Sequence, residues 1–324
     1  MAPKLPGAVI AMMAERSHRM HHYLWHEVRN GWLSYSPEDR KRIAALGWEP
    51  PRPARRARPD GSSESILDNY SGEDFLYMHR DMIASVNARL AQVHDEVYPK
   101  VQGWQSPPPP TDKDWRVPPP YSLGDPGTDQ YIQECKSKDF YSGQLTDWVK
   151  SYTDPKTLKS MSLGELGSRL EFTIHNQMHM RWSSKPSSVR PDADPATPEV
   201  IAKKWDRSTY NWLGDTYSSH VNPVFWKLHG WVDSCIDRWM QANGKSGSVP
   251  WKGTWIGPAQ QSMPRMLMPG HDGGAHGHHD GMDNMLEVAR VLRGTGVTCH
   301  FYDRVSVPPL PGPLEATGSR AAGR

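Results

Sequence analysis

The sequence predicts a mainly α-helical domain with long proline-rich loops. Apolar residues recur at helical spacing, most plainly at Phe225, Leu228, Val232, Ile236 and Trp239. Prolines number 30 and glycines 27 in 324 residues, and the mean hydropathy is −0.72, so much of the length must be polar loop. Period-two alternation is scarce, and VTCHFYDRV at 297–305 is the best candidate strand.

In chain order, residues 8–34 read as the first helix, with Met20, Leu24, Val28 and Trp32 as its apolar stripe. Ser36-Pro37-Glu38-Asp39 opens a second helix that stops near Gly47. Residues 50–63 form a basic, proline-rich loop, and solvation accounts for its charge. A third helix runs from about Glu73 to Val97, followed by an irregular surface excursion over 103–128. A short helix is expected over 139–152 and a longer one from Ser162 to Trp182. The Asn222-Pro223 pair opens the helix over 223–243, and 282–293 reads as the last helix. Residues 1–307 are expected to form one domain, and the core-poor stretch 308–324 a disordered tail.

Composition excludes several classes. A net charge of +2 with both signs interspersed leaves no nucleic-acid footprint. The apolar run at 7–13 is too short for a signal-peptide core, and no stretch would span a membrane. Cys135, Cys235 and Cys299 are too widely spaced for a disulfide framework or a zinc knuckle. A reducing, cytoplasmic location is the expectation. Fourteen tryptophans and fifteen methionines against five phenylalanines predict a core filled largely by Trp and Met.

The chemistry lies in the histidines. His175 and His179 are four residues apart, which on a helix puts both rings on one face, about 6 Å apart. His229 borders the apolar stripe of the 223–243 helix, with Asp233 one turn on, the arrangement of a metal ligand and the carboxylate that orients it. The first helix carries His18, His21, His22 and His26, which offer the pairs His18/His22 and His22/His26, while His21 reads as solvated or structural. Imidazole suits copper, and three nitrogens leave a coordination position open.

These stretches resemble the type 3 copper proteins, the tyrosinase, catechol oxidase and hemocyanin family. His175-Asn176-Gln177-Met178-His179 matches the family's HNxxH helix. Asn222-Pro223-Val224-Phe225-Trp226-Lys227-Leu228-His229 with Asp233 matches its D-P-x-F-W-x-x-H-x-x-x-D, apart from Asn222 for the aspartate. Phe75-Leu76-Tyr77-Met78-His79-Arg80 resembles F-L-P-W-H-R. The resemblance implies a four-helix bundle holding two copper ions, with dioxygen as co-substrate. His175, His179 and His229 would hold the second copper. His79, His22 and one of His18 and His26 would hold the first.

The resemblance also implies that Asn176, with a glutamate for which Glu165 and Glu171 are candidates, holds a water that takes a phenol's proton. A neutral phenol, pKa about 10, is a poor ligand, so hydroxylation needs such a base. Met180 would shape substrate access. The implied activity is hydroxylation of a phenol, oxidation of a catechol to an o-quinone, or both, on a small phenolic or tyrosyl-containing substrate. Loading by a separate copper chaperone stays open.

The chain departs from the family at Tyr70, where a ligand is expected about nine residues before His79, and at Ser183-Ser184, where a glycine pair is usual. Those departures make it look more like the divergent tyrosinases of secondary-metabolite maturation, such as the pyoverdine-maturing tyrosinase. Two alternatives stand beside this reading: a catechol or o-aminophenol oxidase without hydroxylation, and a non-catalytic, hemocyanin-like binder of oxygen or copper. A zinc hydrolase would need a histidine at Asn30 to complete His26-Glu27-Val28-Arg29. The segment 261–281 mixes Met263, Met266 and Met268 with His271, His276, His278 and His279, and reads as a copper-capture segment or a glycine-rich loop. His94, His220 and His300 have no assigned role.

Overall fold

Helix-opening signals in the sequence become helix starts in the computed structural model, which describes residues 5–60, 62–192, 200–258 and 276–310. Ser36 caps the expected α3 (Pro37–Ala45), while Asp125 caps α5 (Pro126–Lys136) and Asp154 caps α8 (Pro155–Lys159), two helices outside those expected from the sequence. Ser162 caps α9 (Leu163–Leu170) and Asn222 caps α11 (Pro223–Ala242). In each, a side-chain oxygen accepts a backbone N–H of the first turn, and four of the five place proline at the helix start. The Asn222 amide also donates to the Asn211 carbonyl (2.9 Å), which an aspartate there could not do.

The structure is mainly helical. The expected first helix is two, α1 (Gly7–Ala14) and α2 (Arg16–Gly31), because Glu15 turns to extended backbone (ψ 139°). Arg19 Nε donates to the Ala14 carbonyl beside that break (2.9 Å). The third helix, α4 (Ser71–Val93), stops earlier than expected, where His94 takes a left-handed conformation (φ 49°). The 139–152 region is α6 (Lys138–Phe140), a π-helical turn (Tyr141–Leu145) and α7 (Thr146–Ser151). The Ser162–Trp182 run is α9, a second π-helical turn (Glu171–His175) and α10 (Asn176–Trp182). The last helix, α12 (His276–Thr295), is longer than expected.

The expected strand over 297–305 shrinks to β3 (Val305–Ser306), since residues 297–304 follow turns and irregular backbone. It lies parallel to β2 (Ser63–Ser65), which pairs antiparallel with β1 (Arg55–Ala57). The basic loop thus supplies strands, and its arginines are paired: Arg52 with Asp74, Arg55 with Asp303, Arg56 and Arg58 with Glu64. Leu310 packs on the core, while Arg169 donates to the Pro308 and Pro309 carbonyls, so the expected tail begins anchored. Residues 311–324, and 261–275 of the His/Met segment, lie outside the described residues.

Trp25, Trp48, Trp226 and Trp231 are fully buried, as the composition leads one to expect, along with Met13, Met20 and Met178. Two backbone-to-backbone contacts set the helix positions. Gly72 of α4 meets Gly164 and Gly167 of α9 so closely that a Cβ on Gly72 would lie 2.1 Å from the Gly164 oxygen. Gly230 of α11 meets Gly103, and Trp104 N–H donates to the Lys227 carbonyl (3.0 Å). The 103–128 excursion is therefore seated on α11, with Trp104 and Tyr121 buried, rather than lying loosely over the surface. The cysteines are free and buried. No helix among the described residues is long and apolar enough to cross a membrane.

Replacing Gly72 with alanine forces α4 and α9 apart. Urea denaturation should give a loss of about 1–3 kcal/mol or more; an unchanged midpoint would mean the helices do not meet at these glycines.

Candidate metal centre

Six histidines from four helical segments converge in the interior: His22 and His26 of α2, His79 of α4, His175 and His179 flanking the α10 start, and His229 of α11. Each is 3 % exposed or less. One ligand atom from each of His22, His26 and His79 lies within 4.8 Å of the other two, and the same holds for His79, His175 and His229. His229 Nε2 is 3.3 Å from both His175 Nε2 and His179 Nε2. His79 thus joins the two halves, its ring stacked on that of His229 (centroids 4.2 Å apart).

Hydrogen bonds fix which nitrogen carries the proton. Main-chain carbonyls accept from the Nδ1–H of three rings: Thr216 from His22 (2.5 Å), Phe75 from His79 (2.9 Å) and Leu213 from His179 (2.9 Å). His175 Nδ1–H donates to Asn176 Oδ1 (2.9 Å). A carbonyl only accepts, so a neutral ring held this way has a bare lone pair on Nε2. Burial keeps the rings neutral. It pushes His175 down to about 3 and His22 to about 4, and takes His26, His79, His179 and His229 well below the usual histidine range, with the neighbouring imidazoles adding to the effect.

His175 and His179 therefore both turn lone pairs toward His229 Nε2, which carries at most one hydrogen. If His229 Nε2 is bare, both approaches set lone pair against lone pair; if it carries the hydrogen, that one N–H must serve two acceptors. His22 Nε2, His26 Nε2, His79 Nε2 and His229 Nδ1 are buried with no hydrogen-bond partner. Such a nitrogen costs about 1–3 kcal/mol unless something satisfies it. A cation does so for several at once, so the donor set fits a metal ion, and imidazole suits zinc, copper, iron and nickel alike.

The walls are apolar. Phe225 stacks on His229 (3.7 Å), Phe301 on His179 (3.9 Å), and Phe75 lies 4.6 Å from His79. These are three of the chain's five phenylalanines. Nothing in the histidine pattern signalled Phe301, because it arrives on a non-helical segment. That segment is tied down by Cys299 N–H to Glu27 (3.0 Å) and by Arg55 to Asp303 (3.1 Å). The carbonyls of Leu213 and Thr216 also escaped notice, since side-chain identity says nothing about main-chain acceptors.

Of the residues singled out in the sequence, the structure brings His26 and not His18 into the first group. His18 is buried, but belongs to neither group. His21 is structural rather than solvated: it is buried and bonded to the Ile256 carbonyl (2.7 Å). Tyr70 sits outside the cluster, preceding α4 with its hydroxyl 3.2 Å from Lys252 Nζ. Asp233 does not orient His229; it pairs with Arg80 (2.6 Å) on the half-exposed side of α11. Asn176 has its Oδ1 taken up by His175. Met180 is fully buried. Glu165 pairs with Arg169 (2.8 Å), and neither it nor Glu171 bonds to a cluster histidine through its carboxylate. His220, unassigned in the sequence, has its ring 4.7 Å from that of His22. His300 pairs with Asp192 (3.1 Å) and belongs to neither group of three histidines.

Glu171 has a different task. Its two oxygens accept from Arg29 (2.7 and 2.8 Å), whose guanidinium also donates to the Ser71 carbonyl (2.7 Å). Both partners are buried. Arg29 lies one turn past His26, Glu171 one turn before His175, and Ser71 begins the His79 helix, so a single ion pair fixes three ligand segments. Glu171→Ala should cost about 3–5 kcal/mol in thermal or chemical unfolding by stranding Arg29, whereas Arg29→Leu/Glu171→Leu should cost much less; equal losses would contradict the clamp. No protein-family model matches this chain, and a search of curated proteins finds no significant match.

Proposed function

We propose that the chain is a copper oxidoreductase of the tyrosinase kind, in which α2, α4, the α9–α10 run and α11 act as a four-helix bundle around two copper ions. His22, His26 and His79 would hold one, and His175, His179 and His229 the other. The observation that carries this reading is the pair of 3.3 Å approaches of His175 and His179 to His229 Nε2, between rings whose hydrogen bonds leave the lone pairs facing inward. Copper held there would supply redox chemistry with dioxygen toward a phenol or catechol. The chain's own contribution is to hold the rings. The carbonyls of Phe75, Leu213 and Thr216 keep Nδ1 protonated and Nε2 free, and such outer partners tune metal affinity about 10–100-fold. Phe75, Phe225 and Phe301 exclude water around the histidines.

Particular observations favour each of two further readings. Glu171 is committed to Arg29 and Glu165 to Arg169, so neither is a free base beside Asn176, which favours oxidation of catechols or o-aminophenols without hydroxylation. Near-complete burial of all six histidines favours a binder of a small ligand such as dioxygen, without turnover.

Metal analysis of the copper-reconstituted chain should find two copper ions per chain and a raised melting temperature. His26→Ala and His229→Ala should each lose copper, while His18→Ala keeps it; a single zinc ion, or loss with His18→Ala alone, would overturn the assignment. Oxygen uptake with a monophenol, a catechol and an o-aminophenol separates the activities. Consumption with all three supports the hydroxylase, with the last two only the oxidase, and reversible oxygenation without product the carrier.

A further inference from the structure

A cavity of about 320 Å³ lies against the helix run that carries His175 and His179. Two features set it apart. Both π-helical turns contribute to its wall: Gln144 comes from the Tyr141–Leu145 turn, and Phe172 and Thr173 from the Glu171–His175 turn. Such turns carry an extra residue and are frequent at functional sites. The second feature is the state of its polar groups. Arg169, the charged residue of the lining, is neutralised by Glu165 and spent on the Pro308 and Pro309 carbonyls. Tyr152 and Thr173 pair through their hydroxyls (3.0 Å). The side-chain amides of Gln144, which is exposed, and Gln177, which is half-buried, bond to no described residue, so each keeps a donor and an acceptor for a ligand at the cavity mouth.

The rest of the lining includes the apolar side chains of Trp148, Phe172 and Leu310, although the surface exposed to the cavity is at least as polar as it is apolar. The volume falls at the lower end of the range for small-ligand sites, which pair apolar walls with a few placed polar groups. No uncompensated charge is available to attract an ion. Free amides next to aromatic faces call for a neutral, flat ligand that itself both donates and accepts. We propose that this cavity binds an aromatic carboxamide, with its ring against Trp148 and Phe172 and its amide paired with Gln144 and Gln177. The site is distinct from the histidine cluster, and its ligand would rest on the same π turn that ends in His175.

Benzamide is a suitable probe because it carries no phenol to oxidise. Isothermal titration into the full chain should give saturable binding at one molecule per chain, unchanged after metal is stripped with a chelator. Gln144→Leu and Gln177→Leu, each checked for native circular dichroism and melting temperature, should weaken it by about fivefold or more. Absence of saturable binding to the wild-type chain would overturn the proposal. So would wild-type affinity in both leucine variants, or binding that disappears with the metal.

Discussion

Neutral imidazoles packed with their Nε2 lone pairs turned toward one another repel, and this buried repulsion is the constraint that the surrounding structure serves. Four ring nitrogens of the six cluster histidines have no hydrogen-bond partner, and each costs about 1–3 kcal/mol. Their sum approaches the net stability of an ordinary domain, about 5–15 kcal/mol. A chain that keeps such an arrangement folded must either recover the cost through metal binding or hold the rings in place by force. The structure has the means for the second. Carbonyls from α4 and from the loop before α11 fix three rings, and the Asn176 amide fixes a fourth.

That loop is rigid for reasons of its own. Arg190 pairs with Asp215 through both carboxylate oxygens, Tyr210 donates to the same carboxylate (2.7 Å), and Arg19 donates to the carbonyls of Arg207, Tyr210 and Tyr217. The Arg190 guanidinium holds the Asp215 carboxyl below the ordinary aspartate range despite the opposing effect of burial. Buried ion pairs of this kind add little net stability, but they fix position, because either member left alone in the interior is costly. Arg29–Glu171 does the same for the ligand helices, the glycine contact at Gly72 brings the backbones of α4 and α9 together, and Gly230 seats α11 against the loop at Gly103.

Much of this was legible in the sequence. Helix starts were marked by Ser-Pro, Asn-Pro and similar pairs, whose cap geometry is local. The pairing of His175 with His179 followed from helical spacing, whereas the addition of His229 rested on the resemblance of the two stretches to the type 3 copper motifs. Legibility failed where geometry is not local. The choice between His18 and His26 depends on where α2 faces α4, which periodicity does not encode when both pairs share His22. The π turns were invisible because one extra residue shifts the helical phase without changing residue type. Asp233 was misread for a related reason: one turn from His229 along the helix it faces Arg80 of another element instead of the ring. The strand expected at 297–305 failed because its apolar residues serve the core individually, with Cys299 and Phe301 both buried, rather than as one face of a sheet.

The central claim is the protonation pattern of the rings, and it can be read directly in the metal-free chain. Two-bond proton–nitrogen correlation on chain labelled with nitrogen-15 histidine distinguishes the tautomers at neutral pH. His22, His79, His175 and His179 should each carry hydrogen on Nδ1 and a bare Nε2. Nε2-protonated or cationic rings at these four positions would contradict the account.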